Sequence, residues 1–370
     1  MFNMEGSGTK NLLRLCFGYF FFYVITGFTL KYFIGSPSLG LPGMDGFEFL
    51  VFSTIGGNLI ALAIVFIFKW YKLKSNNLVS FLGMKIPVEL VYIIPSGVFT
   101  AVIIPTTTLM YSLPISVMVA MVMMRGSVIV ISRIVDAIQK AQGILHKKVY
   151  WEENLGVIFA LMAVGVHLTR ASSGGFDFIH NKAAMIIFTS YIVAYSLRIY
   201  LMNYFKNTRG KGIKQDNKGY YAFEQFAAAF VMISVALFVF HSPGIFGWET
   251  TQIPDQILNF RKAFIDPMSI WPLAILAGTA FGAVSFFSVF IFMYKGRTAT
   301  FAGLVNRLTS LIAGTTATLL FWIICGGKFP SLVDWISLAF VIIAVACIAH
   351  GEKRRVAELK ATHELEELVK

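Results

Sequence analysis

The chain has 370 residues, 57% of them hydrophobic, 15% aromatic and only 14% charged, and its mean hydropathy is +0.72. Soluble domains carry roughly 25% charged residues, so the composition excludes a soluble enzyme and predicts an all-α integral membrane protein. The net charge of +12 would suggest nucleic acid in a soluble chain. Here it bears first on topology, and no nucleic-acid partner is expected.

A helix needs about 20 apolar residues to cross the hydrocarbon core. Ten runs approach that length: Leu12–Ile34, Gly46–Phe68, Val88–Tyr111, Ile115–Val135, Asn154–Thr169, Lys182–Phe205, Gly219–Phe240, Met268–Met293, Thr298–Ile324 and Leu332–His350. The fifth is the shortest, and a Pro/Gly-rich turn separates the first two. The first run is too long for the core of a cleavable signal. Most other loops are short. Ser242–Pro267 carries a stretch, Ile253–Phe264, that predicts a short interfacial helix, and residues 352–370 predict a charged cytoplasmic helix or tail. Pro95 and Pro105 predict a bent third span.

Cations concentrate in alternate loops. Lys10, Arg14, Lys69, Lys72, Lys74, Lys85, Lys140, Lys147, Lys148, Lys206, Arg209, Lys211, Lys214, Lys218, Lys295, Arg297 and the Lys353–Arg355 cluster share one side, against Lys31, Arg170, Lys182, Arg261, Lys262 and Lys328 on the other. The positive-inside rule places the first group and both termini in the cytoplasm. A bacterial inner or other plasma membrane is favoured over an endomembrane, and no retention or lipidation signal is evident.

The two halves, residues 12–170 and 182–350, hold five spans each and repeat residues in the same order. Tyr19 and Tyr23 match Tyr191 and Tyr195; Phe47-Glu48 matches Phe223-Glu224; Met110-Tyr111 matches Met293-Tyr294; Arg125 matches Arg307. Five is odd, so the second half would enter the membrane from the opposite side. That arrangement predicts two inverted five-helix transmembrane repeats, the construction of many secondary transporters, with a site near the midplane.

Arg125 and Arg307 lie deep in their spans, where a charge normally faces a cavity or a partner. Together they suit a phosphate or carboxylate; the competing role is to hold helices together through an acid or backbone carbonyls. Tyr19 and Tyr23, like Tyr191 and Tyr195, are spaced i, i+4 and share a face. They would shape an organic ligand or simply pack, and Tyr111, Tyr294 and Asn306 join the candidate binding set. Asn58 and Asn203 are further candidate polar groups for the cavity. Glu48 has two readings, a helix-start capping box with Asp45 or a gate. Glu224 likewise either pairs with Arg198 or serves gating or proton coupling. Gly278-x-x-x-Gly282 is a close-packing motif. The three cysteines lie in apolar runs and offer no disulfide or metal framework. No HExxH, GxSxG or P-loop is present, so no metal, cofactor or enzymatic activity is expected.

Two segments carry a family resemblance. Gly303-Leu304-Val305-Asn306-Arg307-Leu308, followed by Ala313-Gly314, resembles the Gly-Ala-Leu-Asn-Lys-Leu motif of GDP-sugar transporters. Met124-Arg125-Gly126-Ser127 resembles the fourth-span Arg-Gly or Arg-Ser segment of nucleotide-sugar-transporter-like and chloroquine-resistance-transporter-like proteins. With ten spans in inverted halves, the chain resembles the drug/metabolite transporter superfamily, its EamA-like and nucleotide-sugar-transporter-like carriers included. The companion Phe-Tyr-Asn-Asn motif is represented only by Tyr220-Tyr221-Ala222-Phe223, without the asparagines. The resemblance implies a secondary active transporter, monomeric or homodimeric, working by alternating access or antiport on a small organic anion such as a nucleotide sugar or sugar phosphate. Arg307 and Asn306 would stand at the positions that face the nucleotide phosphate. The alternative is a proton-coupled exporter of amino acids or amphiphilic drugs, with Glu224 titrating.

Overall fold

A computed structural model describes residues 9–73, 78–81, 83–145, 150–170, 180–208, 216–293 and 299–368. The described chain is helical apart from one hairpin and short turns. The helices are α1 (Thr9–Phe33), α2 (Gly46–Ile67), α3 (Leu90–Ser112), α4 (Val117–Ala141), α5 (Trp151–Arg170), α6 (Lys182–Asn207), α7 (Asn217–Phe246), α8 (Asp255–Ile265), α9 (Trp271–Phe292), α10 (Ala299–Cys325) and α11 (Leu332–Leu368). Among the described residues nine of them, all but α5 and the short α8, are long and apolar enough to cross a membrane. The protein is therefore a multi-pass, all-α membrane protein.

The helix at the place of the fifth expected span, α5, opens on Glu152 and Glu153, which shortens its apolar run. Both acids are buried against the far end of α11, where Arg354 reaches Glu152 at 3.4 Å and the Tyr150 hydroxyl donates to Glu358 at 2.7 Å. The last span and the charged tail form one continuous helix, since only Gly351 stands between them and nothing there breaks the backbone. A short helix does form in the expected stretch, α8, whose Phe260 and Phe264 rings lie 5.4 Å apart. Between α2 and α3 lies an unexpected antiparallel hairpin, β1 (Leu78–Phe81) and β2 (Met84–Pro87), in register Leu78↔Pro87 and Phe81↔Met84. Gly83 supplies its turn at φ 79°, a conformation that glycine adopts without Cβ strain.

Helix ends are capped by nearby side chains. Asp45 accepts from the Phe47 and Glu48 amides at 2.8 and 3.4 Å, as an N-cap should. Lys31 is turned inward and donates to the last carbonyls of α3, Tyr111 O at 2.7 Å and Leu113 O at 3.2 Å, where the helix dipole favours a cation.

Packing follows a small set of partners. In the bundle, α2 lies along α9, α5 along α11, and α4 packs on α10, α5 and α6. The pair α3 and α6 is matched by α1 and α9; α3 also packs on α7, and α1 on α10. The α2–α9 contact is backbone on backbone: a Cβ at Gly278 would strike the Ser53 carbonyl, and one at Gly282 the Gly57 carbonyl. Small residues allow that approach where lipid tails give helices no hydrophobic reason to associate. The expected Gly278/Gly282 motif thus packs as read.

Candidate functional site

Six helices, α1, α3, α4, α6, α9 and α10, converge on a polar cluster in the core. Tyr19 and Tyr23 lie one turn apart on α1 with ring centres 5.1 Å apart, and Tyr191 and Tyr195 repeat that spacing on α6. Between the pairs, from α4, stands Arg125. Its Nη1 donates to the Tyr191 hydroxyl at 3.2 Å and its Nη2 donates to the Tyr23 hydroxyl, while the guanidinium lies 5.2 Å from the Tyr23 ring centre. The Tyr23 and Tyr111 hydroxyls are 3.0 Å apart, and Tyr111 donates onward to Met121 Sδ at 3.1 Å. Tyr111 has one hydroxyl proton, so the chain of donors runs from Arg125 through Tyr23 and Tyr111 to sulfur.

Arg307 enters from α10 and is 0% exposed. Its guanidinium stacks between aromatic rings, 4.8 Å from the centre of Tyr195 and 5.4 Å from that of Phe292. None of its three nitrogens makes a hydrogen bond of normal geometry. The neighbouring Asn306 accepts from the Tyr19 hydroxyl at 3.2 Å and donates from Nδ2 to Ser288 Oγ at 3.1 Å. Among the described residues no carboxylate pairs with Arg125 or Arg307. Their charges are held by hydroxyls and π faces alone, an arrangement worth less than an ion pair in a desolvated site.

The nearby carboxylate able to neutralise them is already engaged. Glu224 on α7 takes Arg198 of α6 in a two-pronged pair, Nε to Oε1 at 2.9 Å and Nη2 to Oε2 at 3.0 Å. Ser96 and Thr100, one turn apart on α3, donate to Oε1 at 2.6 and 3.2 Å, and Tyr220 donates to Ser96 at 2.8 Å. Three helices are thereby tied by one buried carboxylate.

Tyr19, Tyr23, Arg125, Tyr195, Arg198 and Ser288 border a cavity of about 50 Å³. A water needs about 10–15 Å³ of such space, so the cavity holds a few solvent molecules and falls well short of the roughly 300–1,000 Å³ of a ligand pocket.

Of the residues read from the sequence, Tyr19, Tyr23, Tyr111, Arg125, Tyr191, Tyr195, Asn306 and Arg307 come together, and Arg198 with Glu224 lies alongside. Glu48 does not join them. Its carboxylate accepts the Met268 amide at 2.6 Å instead of returning to Asp45, so the N-cap is present but the reciprocal capping box is not. Asn203 turns to the Ile199 carbonyl of its own helix at 2.8 Å, whereas Asn58 lines a separate small cavity with Thr54 and Gln225. Tyr294 lies outside the described residues. The sequence reading missed Ser96, Thr100, Tyr220 and Ser288. The i, i+4 spacing of Ser96 and Thr100 was the one signal available, and it is common in membrane helices.

No family model matches the chain. No curated protein matches it either. A solved crystal structure aligns over 91% of this chain and 96% of its own at 13% identity, with a TM-score of 0.47.

Proposed function

We propose that the protein is a secondary carrier for a small organic anion, working by alternating access in the plasma or bacterial inner membrane. It would belong to the drug/metabolite transporter superfamily, with ten transmembrane helices in two inverted five-helix repeats and both termini in the cytoplasm. In this reading α5 is the tenth span and α8 lies at the outer surface. The packing supports the repeat. Exchanging α1 with α6, α2 with α7, α3 with α9, α4 with α10 and α5 with α11 turns α1–α9 into α6–α3, α1–α10 into α6–α4, α2–α9 into α7–α3 and α4–α5 into α10–α11. Every one of these contacts is present.

The observation that carries the anion assignment is the pair Arg125 and Arg307, both buried at the meeting of the proposed repeats and neither facing a carboxylate. A buried cation without a counter-charge is costly. An anionic substrate removes that cost in the loaded state, and the empty site resists reorientation, which favours exchange over one-way leak. The narrow cavity is the occluded conformation in this scheme, and the substrate enters after one side opens. The tyrosines shape the organic part, and Arg198–Glu224 closes the cytoplasmic side. Proton coupling through Glu224 is the weaker alternative, because its carboxylate is already taken up by Arg198, Ser96 and Thr100.

The test is exchange in proteoliposomes preloaded with phosphate esters, nucleotide sugars, dicarboxylates or amino acids. An anion among them should exchange with external label, and should raise the melting temperature by linkage, about 2.7 kcal/mol at a hundred times its Kd. Arg125→Ala and Arg307→Ala should each lose exchange by about thirtyfold or more, since truncating one partner of a buried charge contact costs about 2–5 kcal/mol. Full exchange by both folded variants refutes the assignment. Exchange of neutral or cationic substrates driven by a pH gradient favours the alternative.

A further inference from the structure

A second cavity, of about 420 Å³, lies between α1, α2 and α9. Leu15 and Phe22 of α1, Ile60 and Ile64 of α2, and Phe286 and Phe287 of α9 form its walls. Two of its three polar residues stand at one end, and the third lies further along. Asn11 and Arg14 stand in the first turns of α1, and the Thr279 hydroxyl bonds to the Leu276 carbonyl of its own helix at 2.6 Å. Arg14 is exposed and, among the described residues, makes no ion pair or hydrogen bond.

The cavity opens sideways. Phe22, Ile60, Ile64, Ala283 and Phe287 are half-buried and Phe68 is exposed, so in a membrane this groove faces acyl chains. Water finds too few polar partners along such walls. The groove is also fixed in width. On one flank α2 and α9 already touch through backbone at Gly56, Gly57, Gly278 and Gly282, and closer approach is impossible. At the back, the Phe287 ring fills the space where a Cβ at Gly18 would stand and stacks on Phe22 at 6.0 Å. That stack walls the groove off from the central cavity, whose α9 lining is Phe281, Val284, Ser285 and Ser288.

Depth and charge then identify an occupant. Arg14 is three residues into the apolar stretch that begins at Asn11, and its long side chain reaches back to the headgroup boundary. Phe22 lies eight residues further along, about 12 Å deeper at helical rise. A free cation at headgroup depth, above a hydrocarbon groove of this length, matches one class of molecule. We propose that the α1–α2–α9 groove holds one acyl chain of an anionic phospholipid, with the headgroup phosphate at Arg14. This site is separate from the transport reading, because no part of its lining reaches Arg125 or Arg307.

The experiment is native mass spectrometry of the full-length protein released from nanodiscs of equimolar phosphatidylglycerol and phosphatidylcholine with identical chains. The wild type should retain one lipid, with phosphatidylglycerol favoured about fivefold, the weight of one basic residue near an anionic surface. Arg14→Gln should bring the two lipids to equal retention. Ala283→Phe should fill the groove and lower retention of both about tenfold. An unchanged preference in Arg14→Gln overturns the headgroup assignment, and wild-type retention by folded Ala283→Phe overturns the groove. Ile60→Phe obstructs the opposite wall if Ala283→Phe fails to fold, and Arg14→Gln, at the exposed mouth, disturbs no packing. Retention of free fatty acid in place of phospholipid also refutes the proposal. Loss of exchange in the Arg125 and Arg307 variants with lipid retention intact shows the two sites to be independent.

Discussion

The seam where α3 meets α6 and α7 and the seam where α1 and α2 meet α9 use the same helix arrangement with opposite chemistry. In the first, a carboxylate at the centre gathers a guanidinium and two hydroxyls from three helices. In the second, glycines let α2 and α9 touch through their backbones, and Glu48, the acid the proposed repeat would pair with Glu224, accepts the loop amide of Met268 at the end of the helix. Both arrangements are stable in hydrocarbon, since every buried polar group there must find its partner within the protein. They differ in how they can come apart. Backbone contact through glycine depends on shape alone and has no second arrangement, whereas a charge network can exchange its donors for water or for a ligand when the helices part. Under the proposed alternating access, the α3–α6–α7 side is suited to move and the α2–α9 side to stay fixed.

Breaking the polar seam should have the largest effect. Arg198→Met leaves Glu224 buried with two hydroxyl donors and no cation. Removing one partner of a buried pair costs about 3–5 kcal/mol, so the detergent-solubilised variant should melt well below the wild type. Arg198→Met combined with Glu224→Gln removes both charges and should recover most of that loss. If the double variant is as unstable as the single one, the pair does not hold the seam. The fixed seam ranks next. Gly278→Ala puts a Cβ against the Ser53 carbonyl, and relieving such an overlap costs about 1–3 kcal/mol. Unlike the ion pair, no second substitution in a side chain should rescue it, because its partner is backbone. Rescue of Gly278→Ala by Ser53→Gly would show that side chains, and not the carbonyl, set the α2–α9 distance.

Much of this was legible in the sequence because the chain is so apolar. A run of twenty hydrocarbon residues has one structural solution in a membrane, so α1, α2, α3, α4, α6, α7, α9, α10 and α11 begin within about three residues of the expected spans, while α4, α7 and above all α11 run on past their expected ends. Arg125, Arg307 and the four tyrosines stood out for the same reason, as polar text in an apolar background, repeated in order. The weaker signals failed where two physical outcomes share one pattern. Asp45-x-x-Glu48 reads as a capping box, but the carboxylate found the Met268 amide 220 residues away, a tertiary choice that local spacing does not carry. Ser96 and Thr100 look like Thr26 or Thr106, whose hydroxyls return to the carbonyl four residues back. Only their position opposite Glu224 distinguishes them. The hairpin Leu78–Pro87 lies in a loop too short to show the alternation that marks a strand.

The hydroxyls of Ser96 and Thr100 give the finest test of the contrast between the seams, because they are where the polar seam is strengthened without any charge. Thr100 Oγ1 divides its single proton between the Ser96 carbonyl at 2.9 Å and Glu224 Oε1 at 3.2 Å, while Ser96 gives its own to Oε1 at 2.6 Å and receives one from Tyr220. Thr100→Val keeps the shape of the side chain and removes the shared and longer contact. Side-chain hydrogen bonds between membrane helices average about 0.6 kcal/mol, so this variant should lose that much or less. Ser96→Ala severs the shorter bond and also strands the Tyr220 hydroxyl, and leaving a buried donor unpaired costs about 1–3 kcal/mol. Tyr220→Phe on the Ser96→Ala background removes the stranded group and should return part of that difference. Thermal melting of the three variants therefore has an expected order, Thr100→Val above Ser96→Ala/Tyr220→Phe above Ser96→Ala. If Ser96→Ala proves no worse than Thr100→Val, Glu224 is held by Arg198 alone, and the three-helix tie reduces to a two-helix salt bridge.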